Sequence, residues 1–171
     1  KFEHGEGVHV EPLTAFSQKF DKPEDVTDGA RVVLNNDPVN QLRGLRVLES
    51  AGLLKNLADW DSALTVEGDA EKNPKGLTFE EVNSEQVPQF YKDGKSADLA
   101  LVNGNYIVQA KLNPEEILYQ ESAENNPNAN FLTWREGEET AAIAKLEELL
   151  HSDEVHKYIE DTWSDGSVLP A

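Results

Sequence analysis

Cysteine and methionine are both absent from this 171-residue chain, and basic residues are scarce. The absence of cysteine excludes a disulfide framework, a thiol nucleophile and a thiolate metal site. With 15 Lys and Arg against 33 Asp and Glu, the formal net charge is −18. Such a surface repels phosphate backbones and anionic lipid headgroups, so we expect no nucleic-acid partner and no direct binding to a membrane surface.

Long apolar runs are lacking as well. Asp98 interrupts the stretch Ala97–Val102, no segment is long enough to span a bilayer, and no secretory signal is visible. Because Lys1 is not a start residue, we expect the chain to be a processed or truncated product. Apolar residues make up 38% of the composition, which is enough for a folded core.

Short apolar strands alternate with helical segments along the chain. This alternation predicts an α/β fold with a mainly parallel sheet flanked by helices. The helix after the first apolar strand has a strong start, because Asp37 can cap it and Pro38 suits its first position. Strands are predicted at Arg31–Leu34, Leu64–Val66, Leu77–Val82, Asp98–Val102, Ile117–Gln120 and Asn130–Arg135, and helices at Val39–Ala51, Glu85–Lys92, Tyr106–Lys111, Gly137–Leu150 and Asp153–Trp163.

Polar residues rich in asparagine lie at the ends of three predicted strands. Asn35–Asp37 and Asn103–Asn105 each follow a strand, and Asn128–Asn130 lead into another. Sheets of this class bind ligands outside the carboxyl ends of their strands, where the next helix begins. The pattern therefore predicts a binding site at these strand ends.

Arg43 lies in the first turns of the helix that begins at Pro38. A helix N-terminus offers N–H groups and positive partial charge, and an arginine adds a forked donor that matches a carboxylate. The combination suits a small anion or an amino-acid carboxylate, although Arg43 could instead form an ordinary ion pair with Glu49, Asp37 or another acid. Asn103 could likewise hold an ammonium and a carboxylate, or serve only in an Asn-Gly turn.

Motifs for catalysis or metal binding are not visible. The four histidines show no ligand spacing, and there is no calcium loop, glycine-rich phosphate loop or nucleophile elbow. We therefore expect the chain to be no enzyme and to use no cofactor or metal.

Several ordered motifs resemble one family. Asp25–Asn40, followed by Arg43-Gly44-Leu45 and Ala51–Lys55, is similar to the MetQ/NlpA-type methionine-binding lipoproteins of bacterial ABC importers. The resemblance runs from about Val8 to the end of the chain. It continues at Ala100–Tyr106, Leu112–Pro114, Asn130, Arg135-Glu136 and Val168–Pro170.

This resemblance implies a periplasmic-binding-protein-like fold of type II that is only partly present. Residues 1–15 would be a crossing strand from a missing first lobe, 16–119 the second lobe, 120–129 the return hinge, and 130–171 the C-terminal, helical part of the first lobe. The family's carboxylate-binding arginine falls on Arg43, and its two ligand-binding asparagines fall on Asn103 and Asn130. The family's aromatic and histidine wall and its lipid-bearing cysteine would lie upstream, so His9 and Phe16 are not assigned to that wall.

The function implied by the resemblance is that of an extracytoplasmic, lipid-anchored solute-binding protein. It would deliver L-methionine or a similar amino acid to an ABC permease and its ATPase, and would meet the membrane only through an anchor upstream of this chain. D-methionine, a short peptide or another small carboxylate remain alternative ligands. An enzyme on the same scaffold, or an adhesin or scaffold whose pocket is filled by its own side chains, are alternative functions. Because the last two helices would lose the sheet that covers them, we expect this chain alone to self-associate.

Overall fold

The computed structural model describes residues 1–124 and 126–171, so residue 125, within the expected hinge 120–129, lies outside the described residues. The chain divides into two units, one of residues 13–121 and one of residues 1–12 together with 122–171. In chain order the described strands are β1 (Phe2–His4), β2 (His9–Val10), β3 (Thr14–Phe16), β4 (Arg31–Asn35), β5 (Thr78–Val82), β6 (Leu99–Val102), β7 (Ile117–Gln120), β8 (Thr133–Arg135) and β9 (Leu169–Pro170). The helices are α1 (Pro38–Ser50), α2 (Ala63–Glu67), α3 (Val87–Lys92), α4 (Gly104–Ala110), α5 (Ala141–Leu150) and α6 (Asp153–Thr162), with 3-10 turns at Pro23–Asp25, Ser84–Gln86 and Pro114–Glu116.

A five-stranded sheet in the order β5-β4-β6-β3-β7 forms the middle of the unit 13–121. Strand β4 pairs in parallel with β5 and with β6, whereas β3 pairs antiparallel with β6 and with β7. Four of the five strands therefore run in one direction, which confirms the predicted mainly parallel sheet.

Apolar side chains cover both faces of this sheet. Successive residues of a strand point to opposite faces, and in β4 Val32 and Leu34 join one buried cluster while Val33 joins the other. Helices α1 and α2 pack on the first face and α3 and α4 on the second. Because both faces are buried at the middle of the sheet, β4 and β6 read as short continuous apolar runs, whereas the edge strand β5 contains two exposed glutamates.

Helix α1 begins as the sequence predicts. Asp37 is its N-cap and accepts a hydrogen bond from the Asn40 backbone N–H at 2.9 Å, and Pro38 occupies the first helical position. Gly44 is buried against the sheet, and a Cβ placed there would lie 3.5 Å from Leu101 Cγ. The cap and this close approach fix where the first turns of α1 lie relative to the strand ends.

The strand predicted at Leu64–Val66 is wrong, because these residues form helix α2. Ser62 and Thr65 cap it reciprocally: Ser62 N donates to Thr65 Oγ1 at 3.0 Å, and Thr65 N donates to Ser62 Oγ at 3.4 Å. Ala63 and Val66 are buried while Leu64 is 82% exposed, which is helical rather than strand periodicity. The predicted helix at Gly137–Leu150 also begins later than expected, since Thr140 is the N-cap of α5.

The other unit consists of two short antiparallel ribbons and two helices. Strand β1 pairs with β8, β2 pairs with β9, and an isolated bridge joins His9 to Asn130. Helices α5 and α6 begin at side-chain caps, Thr140 and Ser152. Their apolar sides are incompletely covered: Leu146, Leu149 and Tyr158 are 45%, 50% and 62% exposed, and Ile159 is buried. The other apolar residues on these sides are half-buried, namely Ile143, Leu150, Val155 and Trp163.

Candidate functional site

The carboxyl ends of β4 and β6 bring two polar residues together. Asn35 is the last residue of β4, and Asn103 directly follows β6, the parallel strand beside it. Asn35 Nδ2 donates a hydrogen bond to Asn103 Oδ1 at 2.9 Å. The two asparagine-rich strand ends found in the sequence thus meet at one edge of the sheet.

Two residues from the start of α1 extend this contact. Asn103 Nδ2 donates to Asn40 Oδ1 at 2.9 Å, and Asn40 Nδ2 donates to both carboxylate oxygens of Asp37, at 3.2 and 3.1 Å. Asp37 is also the N-cap of the helix. The side chains of Asn35, Asn103, Asn40 and Asp37 therefore form one continuous chain of hydrogen bonds, which we call the amide relay.

Arg43 lies one turn beyond Asn40 on α1, a spacing that places both side chains on the same side of the helix. Its Nε lies 3.1 and 3.0 Å from the two carboxylate oxygens of Glu121, and its Nη2 lies 2.5 Å from one of them. The two side chains are only 13% and 16% exposed. Arg43 therefore makes a forked, largely buried bond to a carboxylate, with its Nε edge turned toward Glu121.

Glu121 is itself fixed by the backbone of the same unit. Its carboxylate accepts the N–H of Leu13 at 3.0 Å, and its own N–H donates to the carbonyl of Leu13 at 3.1 Å. Arg43 thus forms the ion pair that the sequence offered as an alternative to ligand binding, with Glu121 rather than with Glu49 or Asp37. Glu49 pairs instead with Arg46, at 2.7 Å.

Gln41 connects the start of α1 to its surroundings. Its Nε2 donates to the carbonyl of Asn35 at 3.2 Å and to Glu81 at 2.7 Å, and its Oε1 accepts the N–H of Ala63 at 3.0 Å. The side chain is buried, with 5% of the residue exposed. Gln41 therefore holds the end of β4, the end of β5 and the start of α2 against the helix.

A cavity of about 310 Å³ opens beside these residues, next to the N-terminus of α1. Its described lining includes Gln41, Trp60 and three carboxylates, Asp59, Asp61 and Glu81, but neither Arg43 nor Asn103. Lys72 contacts Asp61 at 2.7 Å and, with the backbone N–H of Ala58, keeps the pKa of this buried carboxyl below its usual range. An acidic wall of this kind disfavours a ligand carboxylate, so the cavity is not where Arg43 would hold one.

Asn130, the third predicted ligand-binding residue, belongs to the other unit. Its backbone bridges to strand β2: its N–H donates to the carbonyl of His9 at 2.8 Å, and its carbonyl accepts the N–H of Val8 at 2.8 Å. The residue is exposed. Its assignment to the site remains a prediction from the resemblance.

The sequence predicts site roles for Arg43 and Asn103 but none for Glu121 or Gln41. Glu121 lies 78 residues beyond Arg43, and no local pattern links the two. Asn35 and Asn40 were visible as polar residues around a strand end and a helix start, but the direction of their side chains was not. Within the described part of the chain, no cluster of His, Asp or Glu is arranged to hold a metal ion.

Membrane-spanning character is also absent from the described helices. None in residues 1–124 and 126–171 combines the length and the apolar character needed to cross a bilayer.

Comparison with known proteins gives one consistent family. The model of the family described as NlpA lipoprotein matches residues 2–171. The methionine-binding lipoprotein MetQ of Bacillus subtilis is 39% identical over 165 residues, which cover 95% of this chain and 60% of that protein. The chain thus spans about three fifths of the length of this relative.

Solved structures agree with the sequence relatives. An ABC transporter periplasmic substrate-binding protein from Coxiella burnetii matches with a TM-score of 0.78 and 27% identity, covering 100% of this chain and 70% of that one. The substrate-binding protein of a methionine transporter from Streptococcus pneumoniae matches with a TM-score of 0.74 and 26% identity, covering 100% and 68%. The fold expected from the resemblance is confirmed by these matches.

Proposed function

The chain belongs to the NlpA lipoprotein family, and from this membership we propose that it is part of an extracytoplasmic solute-binding protein for methionine or a related amino acid. The relatives are named as methionine-binding lipoproteins and as substrate-binding proteins of ABC transporters. The proposed partners are accordingly an ABC permease with its ATPase. The proposed location is outside the cytoplasm, at a membrane, through a lipid anchor carried by a longer protein.

The observation that carries the proposal is that Arg43 binds a carboxylate group in a largely buried position. Its guanidinium binds the carboxylate of Glu121 in a largely buried setting, one helical turn from Asn40, which accepts a hydrogen bond from Asn103. We assign the ligand carboxylate to the guanidinium of Arg43. Asn103 is the proposed partner of the remaining polar groups of the ligand, and Asn130 keeps the ligand-binding role that the resemblance implies for it.

The two units also support the proposed lobe assignment. The unit 13–121 carries the sheet, Arg43 and Asn103, and we assign it to the second lobe. The residues before and after it, 1–12 and 122–171, are assigned to the first lobe, with chain crossings near Leu13 and Glu121. Ligand binding without chemical conversion is the expected activity, because substrate-binding proteins of this family deliver a ligand rather than transform it.

The decisive test uses the protein of full family length. Calorimetry with L-methionine should show binding, and Arg43→Ala should weaken it by about 2–5 kcal/mol, the usual cost of removing one partner of a buried charge pair. Arg46→Ala is the matched control, since Arg46 is on the same helix but pairs with Glu49 and Asp59. Unchanged affinity in Arg43→Ala would remove Arg43 from the site.

A second measurement separates binding from catalysis and identifies the ligand. Mass spectrometry of what co-purifies with the family-length protein should reveal an intact amino acid, and NMR should show that it persists unaltered. Time-dependent conversion of the bound molecule would move the protein into the enzyme class. Recovery of a peptide or another carboxylate would be consistent with the proposed carboxylate site but would contradict methionine as the ligand.

A further inference from the structure

The amide relay has a direction that chemistry imposes on it. The carboxylate of Asp37 can only accept hydrogen bonds, so Asn40 must turn its NH₂ group toward it. Asn40 then presents its carbonyl oxygen to Asn103, so Asn103 must donate a hydrogen bond to it from its own NH₂ group. This turns the carbonyl oxygen of Asn103 toward Asn35, which donates to it.

A side-chain amide alone has no such preference. Its oxygen and nitrogen are almost the same size, and a 180° turn exchanges a donor for an acceptor at little steric cost. For a residue that must offer a defined donor and acceptor to a ligand, such a turn reverses the polarity it presents. The fixed charge of Asp37 at one end of the relay removes this freedom from each amide in the chain.

We propose that Asp37, Asn40 and Asn35 are positioning residues that lock the amide of Asn103 in one orientation for ligand binding. A primary amide has two N–H groups and two acceptor lone pairs, and the relay uses one of each on Asn103. One N–H and one lone pair remain outside the relay, in directions that the relay fixes. A ligand with both an ammonium and a carboxylate, such as an amino acid, needs this donor and acceptor together.

Burial strengthens the relay. Asn35 is 1% exposed, Asn103 and Asn40 are partly buried, and hydrogen bonds in such surroundings polarise one another. The Oδ1 atom of Asn35 is buried and is the one polar atom of the relay that has no hydrogen-bond partner among the described residues. The carbonyl oxygen of Asn35 is thus left without a hydrogen bond, while its NH₂ group donates to Asn103. This arrangement is expected if the role of Asn35 is to orient Asn103.

The inference rests on the proposed function for the identity of the ligand, but the orientation itself is tested without one. In ¹⁵N-edited NMR of the 171-residue chain, the Nδ2 proton of Asn103 that bonds to Asn40 should lie downfield of its position in a solvated asparagine. Asn40→Ala should move this proton upfield. Asn36→Ala is the matched control, because Asn36 also follows β4 but bonds to Asn83 outside the relay.

The binding arm uses L-methionine and the family-length protein. Asn40→Ala and Asn35→Ala should each weaken affinity about tenfold, which corresponds to roughly 1.4 kcal/mol, while Asn36→Ala leaves it unchanged. Asn40→Ser, which can still accept from Asn103, should recover part of the loss, whereas a merely structural defect would not be repaired by so small a side chain.

The two arms separate the two proposals. If Asn103 shows the same proton shifts in the parent chain and in Asn40→Ala, the relay does not orient it and the inference is overturned. If the parent protein binds L-methionine and the relay variants bind it equally well, the positioning role is also overturned. Absence of methionine binding by the parent, with the expected NMR change in Asn40→Ala, contradicts methionine as the ligand and supports the relay.

Discussion

At the scale of single residues, His151 shows how backbone carbonyls select a protonation state. Its Nδ1 lies 2.8 Å from the carbonyl oxygen of Glu147, and its Nε2 lies 3.0 Å from that of Gly7. A neutral imidazole has one N–H and can satisfy one of these oxygens, whereas the imidazolium donates to both. The Glu147 carbonyl foremost, with the Gly7 carbonyl and the nearby Glu147 and Glu6 carboxylates, raises the pKa of His151 above its ordinary value.

A pH dependence of stability follows from this raised pKa. The stabilisation is fully present below the unfolded-state pKa of about 6.5 and is lost as the pH rises through the raised folded-state pKa. NMR titration of the His151 ring should give a midpoint above 6.5. The urea concentration at the midpoint of unfolding should decrease as the pH is raised from mildly acidic to mildly alkaline. His151→Gln should flatten that fall. A ring that titrates below the ordinary value would contradict the assignment.

The candidate site also shows what single residues reveal in a sequence. Arg43 and Asn103 are candidates from the sequence because Arg43 lies in the first turns of a helix that follows a strand and Asn103 directly follows another strand, where the topology of a parallel sheet gathers polar groups. Glu121 could not be predicted, because its pairing with Arg43 depends on how β7 lies beside β3, a contact between distant parts of the chain. The amide relay required the relative rotation of α1 and β6, which no local pattern encodes.

At the scale of secondary-structure elements, helix α1 has room for a methyl group at Gly44. A Cβ on Gly44 would lie 3.5 and 3.6 Å from Leu101 and 3.7 Å from Leu13, which are ordinary van der Waals distances. Glycine in a helix interior costs about 1 kcal/mol relative to alanine. We therefore expect Gly44→Ala to raise the free energy of unfolding by about 0.5–1 kcal/mol.

A second glycine of the same unit provides the contrast. Nothing lies within 4 Å of a Cβ built on Gly29, but its φ is +73°, a left-handed conformation that alanine adopts poorly. Gly29→Ala should therefore destabilise by about 1 kcal/mol despite the open space. Chemical denaturation of both variants checks the pair. Destabilisation by Gly44→Ala would contradict the expectation that α1 accommodates a methyl group at this position.

Helix α2 explains why one element was predicted wrongly. Leu64, Thr65 and Val66 are β-branched or apolar and in isolation resemble a short strand. The reciprocal cap between Ser62 and Thr65, together with burial of Ala63 and Val66 on one side, outweighs that local preference. The capping pair was present in the sequence, but a five-residue helix is too short for its periodicity to be recognised.

At the scale of the whole molecule, the two units differ in how many apolar side chains they bury fully. The unit 13–121 contains both large buried clusters, with helices on each face of its sheet. The unit of residues 1–12 and 122–171 buries few large side chains in α5 and α6 and leaves others open. Its largest exposed apolar residues are Phe2, Phe131, Leu146, Leu149 and Tyr158.

The fold of the first of these units could be predicted at the level of class because its strands are short apolar runs separated by capped helices. The second unit could not be predicted as a packed body, because its two-stranded ribbons are only two or three residues long. Strands of that length carry no usable periodicity. The two helices, whose apolar residues recur at helical spacing, were clear from the sequence, and the strand predicted at Asn130–Arg135 contains β8.

The exposed sides of α5 and α6 lead to the prediction that this chain, prepared alone, self-associates. Burying a large apolar side chain contributes roughly 1.5–3 kcal/mol, and Leu146, Leu149 and Tyr158 retain about half or more of their exposure. An apolar face of this kind marks an association surface, and pairing of identical chains is a common way to cover one. Light scattering should therefore show a species larger than a monomer.

The variant Leu146→Glu/Leu149→Glu tests which face is responsible. It should shift the chain toward monomer, because two new carboxylates would face each other across a self-complementary contact. Leu64→Glu is the matched control, since Leu64 is 82% exposed on α2 in the other unit and its replacement should leave the association unchanged. The same preparation should bind L-methionine weakly, because on the proposed assignment the apolar wall of the ligand site belongs to the part of a family-length protein that this chain does not span. A clean monomer that binds L-methionine tightly would contradict both the exposed face as an association surface and the location of that wall.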